Sequence, residues 1–247
     1  MAEDLREALK YAVELRDGQE VIYLEKGKTF YDKNKAHLEE LTPIKRAETL
    51  IVNSLSGLVR YLKSNFEKYK GGLGLLIHIE GPTKVSVLSR LDEDRKRESL
   101  IEANLLLDKF PYRRFMDSED FIINVQSLIQ RDLDASAILA CASSIRIEGG
   151  GDLTDNGISQ QVTVKEGAAT LTKAEVPSPA ELRPYRTFLE VEQPASPFVF
   201  RINKRGECAL FEADGGLWKN EAVESILNYL TGELETEIKE GHVVIIG

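Results

Sequence analysis

The sequence predicts an α+β fold: a mostly antiparallel sheet with a long spine helix over about 43–67 and two further main helices. Three observations carry this. Apolar residues recur at gaps of three and four over 43–67, 118–130 and 219–232. Between these stretches, short runs rich in β-branched and aromatic residues are bounded by Gly and Pro, which is how strands and their turns read. The chain of 247 residues is 42% hydrophobic and 30% charged, so it is globular and long enough to bury a core without disulfide staples.

The elements follow in order. Residues 2–16 predict a short amphipathic helix, with Leu5, Leu9, Ala12 and Val13 on one face and Asp17-Gly18 as its stop. Residues 20–42 are polar and predict a strand at Val21–Leu24, then an irregular arm or loop. The chain therefore divides into an N-terminal helix and arm, 1–42, and an α+β domain, 43–247. The spine helix begins at Thr42, a good N-cap, with Pro43 in the first turn, and its stripe runs from Ile44 to Phe66. Leu73–Ile79 and Val85–Leu88 predict strands around a Gly81-Pro82 turn. Residues 91–98 read as a charged loop or a helix start, and for 98–107 strand and helix both stay open. Residues 111–115 form a connector. Asp117 caps the next helix, where Glu119 and Asp120 favour the positive end of the dipole and Phe121, Ile122, Val125, Leu128 and Ile129 face inward. Residues 134–144 are Ala-rich and predict a helix, and Ile145–Ile147 starts a strand.

The glycines at 149–151 and Asp155-Asn156-Gly157 are the strongest breaker, either a hairpin tip or a division of the domain into two lobes. Strands are expected at 158–164, 187–192, 198–203 and 208–212, the last two joined by a turn at Lys204-Arg205-Gly206. The final helix places Ala222, Val223, Ile226, Leu227 and Leu230 inward, and Val243–Ile246 is a small apolar strand.

Charge and cysteines bound the function classes. The net charge is −9, and residues 212–247 hold eight acidic residues against two basic ones, which excludes a generally basic nucleic-acid coat. Cys141 and Cys208 are far apart and in no metal spacing, as expected of reduced thiols in the cytoplasm. No signal-like or membrane-spanning run is present in the sequence, so a cytoplasmic protein with no membrane partner is expected.

Chemistry is sparse. His37, His78 and His242 stand apart with no local zinc spacing, and there is no P-loop or nucleophile elbow. Glu190 and Glu192 would share a strand face, and with Asp214 and Lys219 they set out a metal-dependent hydrolase or nuclease as one alternative. A solvated strand face is the plainer reading. The Asp214-Gly215-Gly216 turn before a helix suits either an anion or a structural turn. Arg113 and Arg114 beside Tyr112 and Phe115, and Arg183 and Arg186 around Tyr185, mix cations with aromatics. With Trp218 they form the candidate contact set, for a protein interface or for single-stranded nucleic acid. No catalytic residue, metal ligand or cofactor is assigned.

Several stretches resemble a known family. They are the RESLIEA run at 97–103, FMDSEDFIINVQSLI at 115–129, Asp155 through Val162, Pro184 through Arg201, and Glu212–Gly216 with Trp218. In order and spacing they resemble the YfdQ-like phage and prophage proteins, a family of uncharacterised function, over about residues 45–235. The resemblance implies a phage or prophage origin and the host cytoplasm, and it brings no activity with it. The expectation is a non-enzymatic accessory protein that self-assembles into a homo-oligomer, up to a large or shell-like assembly. It rests on the apolar spine, the arm and the terminal strand. The alternative is a nucleic-acid-binding accessory of phage recombination, replication or counter-defence.

Overall fold

The computed structural model describes residues 6–7, 21–23, 29–32, 38–40, 46–68, 74–144, 154–155, 160–166, 170–175 and 178–247. The chain forms two units, Met1–Ala47 and Glu48–Gly247. In the first, Arg6 and Glu7 are helical, and the rest of the expected helix lies outside the described residues. The strand expected at Val21–Leu24 is present over Val21–Tyr23, and two more strands stand where an irregular arm was expected. Strands β1 (Val21–Tyr23), β2 (Thr29–Asp32) and β3 (Leu38–Glu40) pair in succession as an antiparallel meander. Thr29, Phe30 and Tyr31 are good strand formers, and their neighbours in sequence supply both partners.

Among its described residues the second unit holds three sheets and two buried clusters. A five-stranded sheet runs in the order β14-β5-β6-β7-β4, built from β4 (Leu50–Val52), β5 (Leu75–Gly81), β6 (Lys84–Leu88), β7 (Ser99–Asn104) and β14 (Val243–Ile246). The pairs β5–β6 and β6–β7 are antiparallel, whereas β14 joins β5 and β4 joins β7 in parallel. β4, β5, β7 and β14 therefore point one way and β6 the other. A second sheet, β11 (Ala180–Leu182), β12 (Ser196–Ile202) and β13 (Cys208–Glu212), is antiparallel throughout. So is the third, β8 (Thr154–Asp155), β9 (Gln160–Glu166) and β10 (Thr170–Glu175). The α+β class, mostly antiparallel, is the one expected.

The spine helix is a correction. Residues 46–49 carry no regular structure, Leu50–Val52 is strand β4, and the helix is only α1, Leu55–Ser64. Thr42 and Pro43 lie outside the described residues. Two local signals override the long stripe. Ser54, with extended backbone, accepts the Gly57 N–H at 3.1 Å and so starts the helix there. Asn65 adopts the left-handed conformation (φ 49°) and its N–H returns to the Leu62 carbonyl, ending it. Phe66 is left exposed rather than buried in a stripe.

Alternation along β5 sends Leu75, Ile77 and Ile79 to one face, where they meet Val85, Val87, Ile101 and Ala103. Leu55, Leu58, Val59 and Leu62 of α1 and Ile226 and Leu230 of α4 (Trp218–Glu233) cover this face. Each such side chain contributes roughly 1.5–3 kcal/mol relative to exposure. The short helix α5 (Glu235–Lys239) then leads into β14. The second cluster packs α2 (Ser118–Leu128) and α3 (Leu133–Ser144) on the β11–β13 sheet, through Phe121, Val125, Ile138, Phe198, Phe200 and Leu210. The predicted α2 cap is present: the Asp117 carboxylate accepts the Asp120 N–H at 2.8 Å.

Residues 187–192 form no strand, a second correction. Gln193 is buried, and its side chain takes the backbone groups that a partner strand would have satisfied. Its Oε1 accepts from Arg186 N (3.0 Å) and Thr187 N (3.2 Å), while Nε2 donates to the carbonyls of Thr187 (3.2 Å) and Phe188 (3.1 Å). The loop folds on itself, Phe188 enters the first cluster, and Thr187 Oγ1 donates to Pro82 O at 2.7 Å. Residues 99–104, open between helix and strand in the sequence, are strand β7.

A groove around Arg186 and Trp218

The loop closed by Gln193 places Arg186 where the two clusters approach each other. Its side chain is 9% exposed. The guanidinium stacks on Trp218, 4.2 Å from the ring centre, and lies 5.6 Å from the centre of Phe198. Nη1 donates to Glu212 Oε1 at 3.3 Å, and Nη2 donates to the Pro194 carbonyl at 3.3 Å and to the Ser196 hydroxyl. Nε is buried and has no hydrogen-bond partner among the described residues. Burial lowers the Arg186 pKa from its usual value, while Asp214 and Glu212 nearby act to raise it.

Asp214 has a different task from the one an anion site would give it. Its carboxylate accepts the N–H groups of Gly216 (3.0 Å) and Trp218 (3.2 Å) and so occupies the N-terminus of α4 itself. Gly215 (φ 65°) and Gly216 (φ 91°) supply the left-handed conformations this turn needs. The structural reading of Asp214-Gly215-Gly216 holds.

A groove of about 440 Å³ opens beside the Arg186–Trp218 stack. The β5–β6 turn gives it Pro82 and Thr83, and the segment after β7 gives it Leu105, Leu107, Asp108, Lys109, Phe110 and Tyr112. Tyr185, Arg186, Glu212, Trp218 and Lys219 complete it. The Tyr112 ring stacks on Phe198 (5.5 Å between centres) and tilts against Phe110 (5.1 Å). Burial pushes the Tyr112 phenol up from its ordinary value. Among the described residues Tyr185 makes no ring pair and Lys109 and Lys219 have no ion-pair partner, while Lys219 Nζ lies 6.0 Å from the centre of the Trp218 ring.

The six residues singled out in the sequence separate. Tyr185, Arg186 and Trp218 meet in the groove. Arg183 lies 3.9 Å from Asp132. Arg113 and Arg114 are exposed on the connector, where the Arg113 N–H donates to Leu210 O at 2.8 Å, and they do not line the groove. Lys109 and Glu212 escape a sequence reading, because nothing local marks them as facing Trp218. The expected pair Glu190 and Glu192 shares no strand face. Glu190 sits in the turn, where it accepts the Ser56 N–H at 3.0 Å, and Glu192 is exposed. His37 lies outside the described residues, and among those described no group of three His, Cys, Asp or Glu is placed to hold a metal ion. No helix among them is long and apolar enough to cross a membrane.

Comparison with protein-family models, curated proteins and solved structures found no match to this chain.

Proposed function

We propose that this chain is a non-enzymatic, self-associating protein whose copies join through the edges of the five-stranded sheet. Its resemblance in sequence to YfdQ-like proteins supports a phage or prophage setting. The observation that carries the proposal is the make-up of the two edge strands. β4 is Leu-Ile-Val and β14 is Val-Val-Ile-Ile, with no charge and no proline in either. Leu50 is 50% exposed, Ile51 59%, Val244 57% and Ile246 46%. Among the described residues no strand pairs with the outer side of either edge. An uncharged apolar edge with free N–H and C=O groups is a template for another chain, and proteins that remain single blunt such edges.

The support differs from what the sequence alone offers. The spine is short and its apolar face is covered, and β14 finds a partner in β5 of its own chain. What remains is the other side of β14 and the open side of β4. Strand direction limits the assemblies. Two copies meeting at β14 about a two-fold axis would pair antiparallel, whereas β14 on β4 of the next copy would pair parallel and propagate. Light scattering on the eluting full chain tests the proposal. A mass that is a multiple of 27.7 kDa is expected, falling to one chain when Val244→Lys and Ile246→Lys are combined. A wild-type chain that runs as a single copy at tens of micromolar overturns it.

A further inference from the structure

We infer that the Arg186–Trp218 groove binds a planar aromatic anion of mononucleotide size. At about 440 Å³ the groove falls within the range of small-molecule sites, and its walls are aromatic and aliphatic with a few polar groups, as such sites are. The polar groups define the ligand. Glu212 is already engaged by Arg186. The Tyr112 hydroxyl, Lys109 and Lys219 are left as donors, with no hydrogen bond or ion pair to any described residue, the Lys219 ammonium lying only in loose contact with the Trp218 ring, 6.0 Å from its centre. With Lys109, Arg186 and Lys219 against Asp108 and Glu212, the lining keeps one positive charge in excess and a surplus of donors, which suits an acceptor-rich anion.

The aromatic surface defines the rest. Tyr185 lines the groove with its ring unpaired, a platform for a flat ring at about 1–3 kcal/mol per stacked base. Trp218 has one face covered by the Arg186 guanidinium, so that cation is fixed behind the indole rather than free to leave with solvent. Asp108 is the one unpaired carboxylate of the lining, an acceptor for an exocyclic amino group at the rim. Base, ring stacking and phosphate each have a counterpart. The same chemistry is presented by a free nucleotide and by the end of a single strand.

Trp218 is the single tryptophan of the chain, so its emission reports on the groove alone. Adenosine monophosphate is titrated into the full-length protein at low salt, with equilibrium dialysis as a second readout. Adenosine, inorganic phosphate and a short oligo(dA) are titrated in parallel. The proposal expects saturable binding of the monophosphate in both readouts, at least about tenfold tighter than adenosine or phosphate alone. Lys109→Ala with Lys219→Ala, both exposed and so harmless to the fold, should weaken it by about tenfold or more. Tyr185→Leu should weaken the monophosphate and leave phosphate unchanged. Tighter binding of oligo(dA) than of the monophosphate assigns the ligand to a strand, and the reverse assigns it to a free nucleotide. Absence of saturable binding of both the monophosphate and oligo(dA), or equal affinity for adenosine and its monophosphate, overturns the inference.

Discussion

Gln193 illustrates how much one side chain decides. It is buried, and its amide satisfies two backbone N–H groups and two or more carbonyls of residues 186–191. Gln193→Leu would keep the volume and remove every bond, stranding those groups away from water. A loss of about 2–3 kcal/mol in denaturant-measured stability is expected, together with loosening of the Arg186 stack, visible in Trp218 emission. Cys208 carries the pH dependence at this scale. Burial pushes its thiol from 9.0 up to about 12, and Cys141 is shifted upward by burial as well. Because the folded value exceeds the unfolded one, the folded state binds more protons above pH 9, and stability falls as pH rises from about 9 toward 12. For Cys208 alone this amounts to about 1 kcal/mol by pH 10. Cys208→Ala should lessen that alkaline slope, and what remains falls to Cys141 and Tyr112, which burial also pushes up. In the native protein at pH 8 neither thiol should react with a disulfide reagent, and both should react in denaturant.

At the scale of elements, legibility depended on whether local signals agreed. For α2 the Asp117 cap, the acids of the first turn and the Phe121–Val125 face all point to one helix, and it lies where they place it. Over 43–67 they disagree. Leu50-Ile51-Val52 is also a run of three apolar, largely β-branched residues that suits a short strand, and Ser54 is a stronger start signal than the periodicity is a continuation. The deciding partner, β7, lies about fifty residues away and is invisible to a local pattern. Ser54→Ala should therefore cost about 1 kcal/mol and fray the first turn of α1, seen as lowered helical circular dichroism and a lower denaturation midpoint. Thr187–Glu192 failed for the same kind of reason, since the competitor for its backbone was a side chain. The aromatic–cation set was half legible. Tyr185, Arg186 and Trp218 stood out by type, but their grouping with Lys109, Tyr112 and Glu212 is made by the packing of separate elements.

Taken as a whole, the second unit buries two apolar clusters, leaves large apolar side chains such as Phe66, Leu106 and Leu133 exposed, and among the described residues pairs no strand with the outer side of β4 or β14. Val244→Lys and Ile246→Lys replace exposed side chains, so they should alter monomer stability by no more than about 0.5 kcal/mol while blocking association. That contrast separates an assembly defect from a folding defect. The most direct test reads the edges themselves. Amide hydrogen exchange is followed for the segments holding β4 and β14 in dilute and in concentrated protein. Edge-to-edge pairing predicts that outward-facing N–H groups of Leu50–Val52 or Val243–Ile246 exchange about tenfold more slowly in the concentrated sample, while β5, β6 and β7 are unchanged. Identical exchange at both edges across that concentration range would contradict the account.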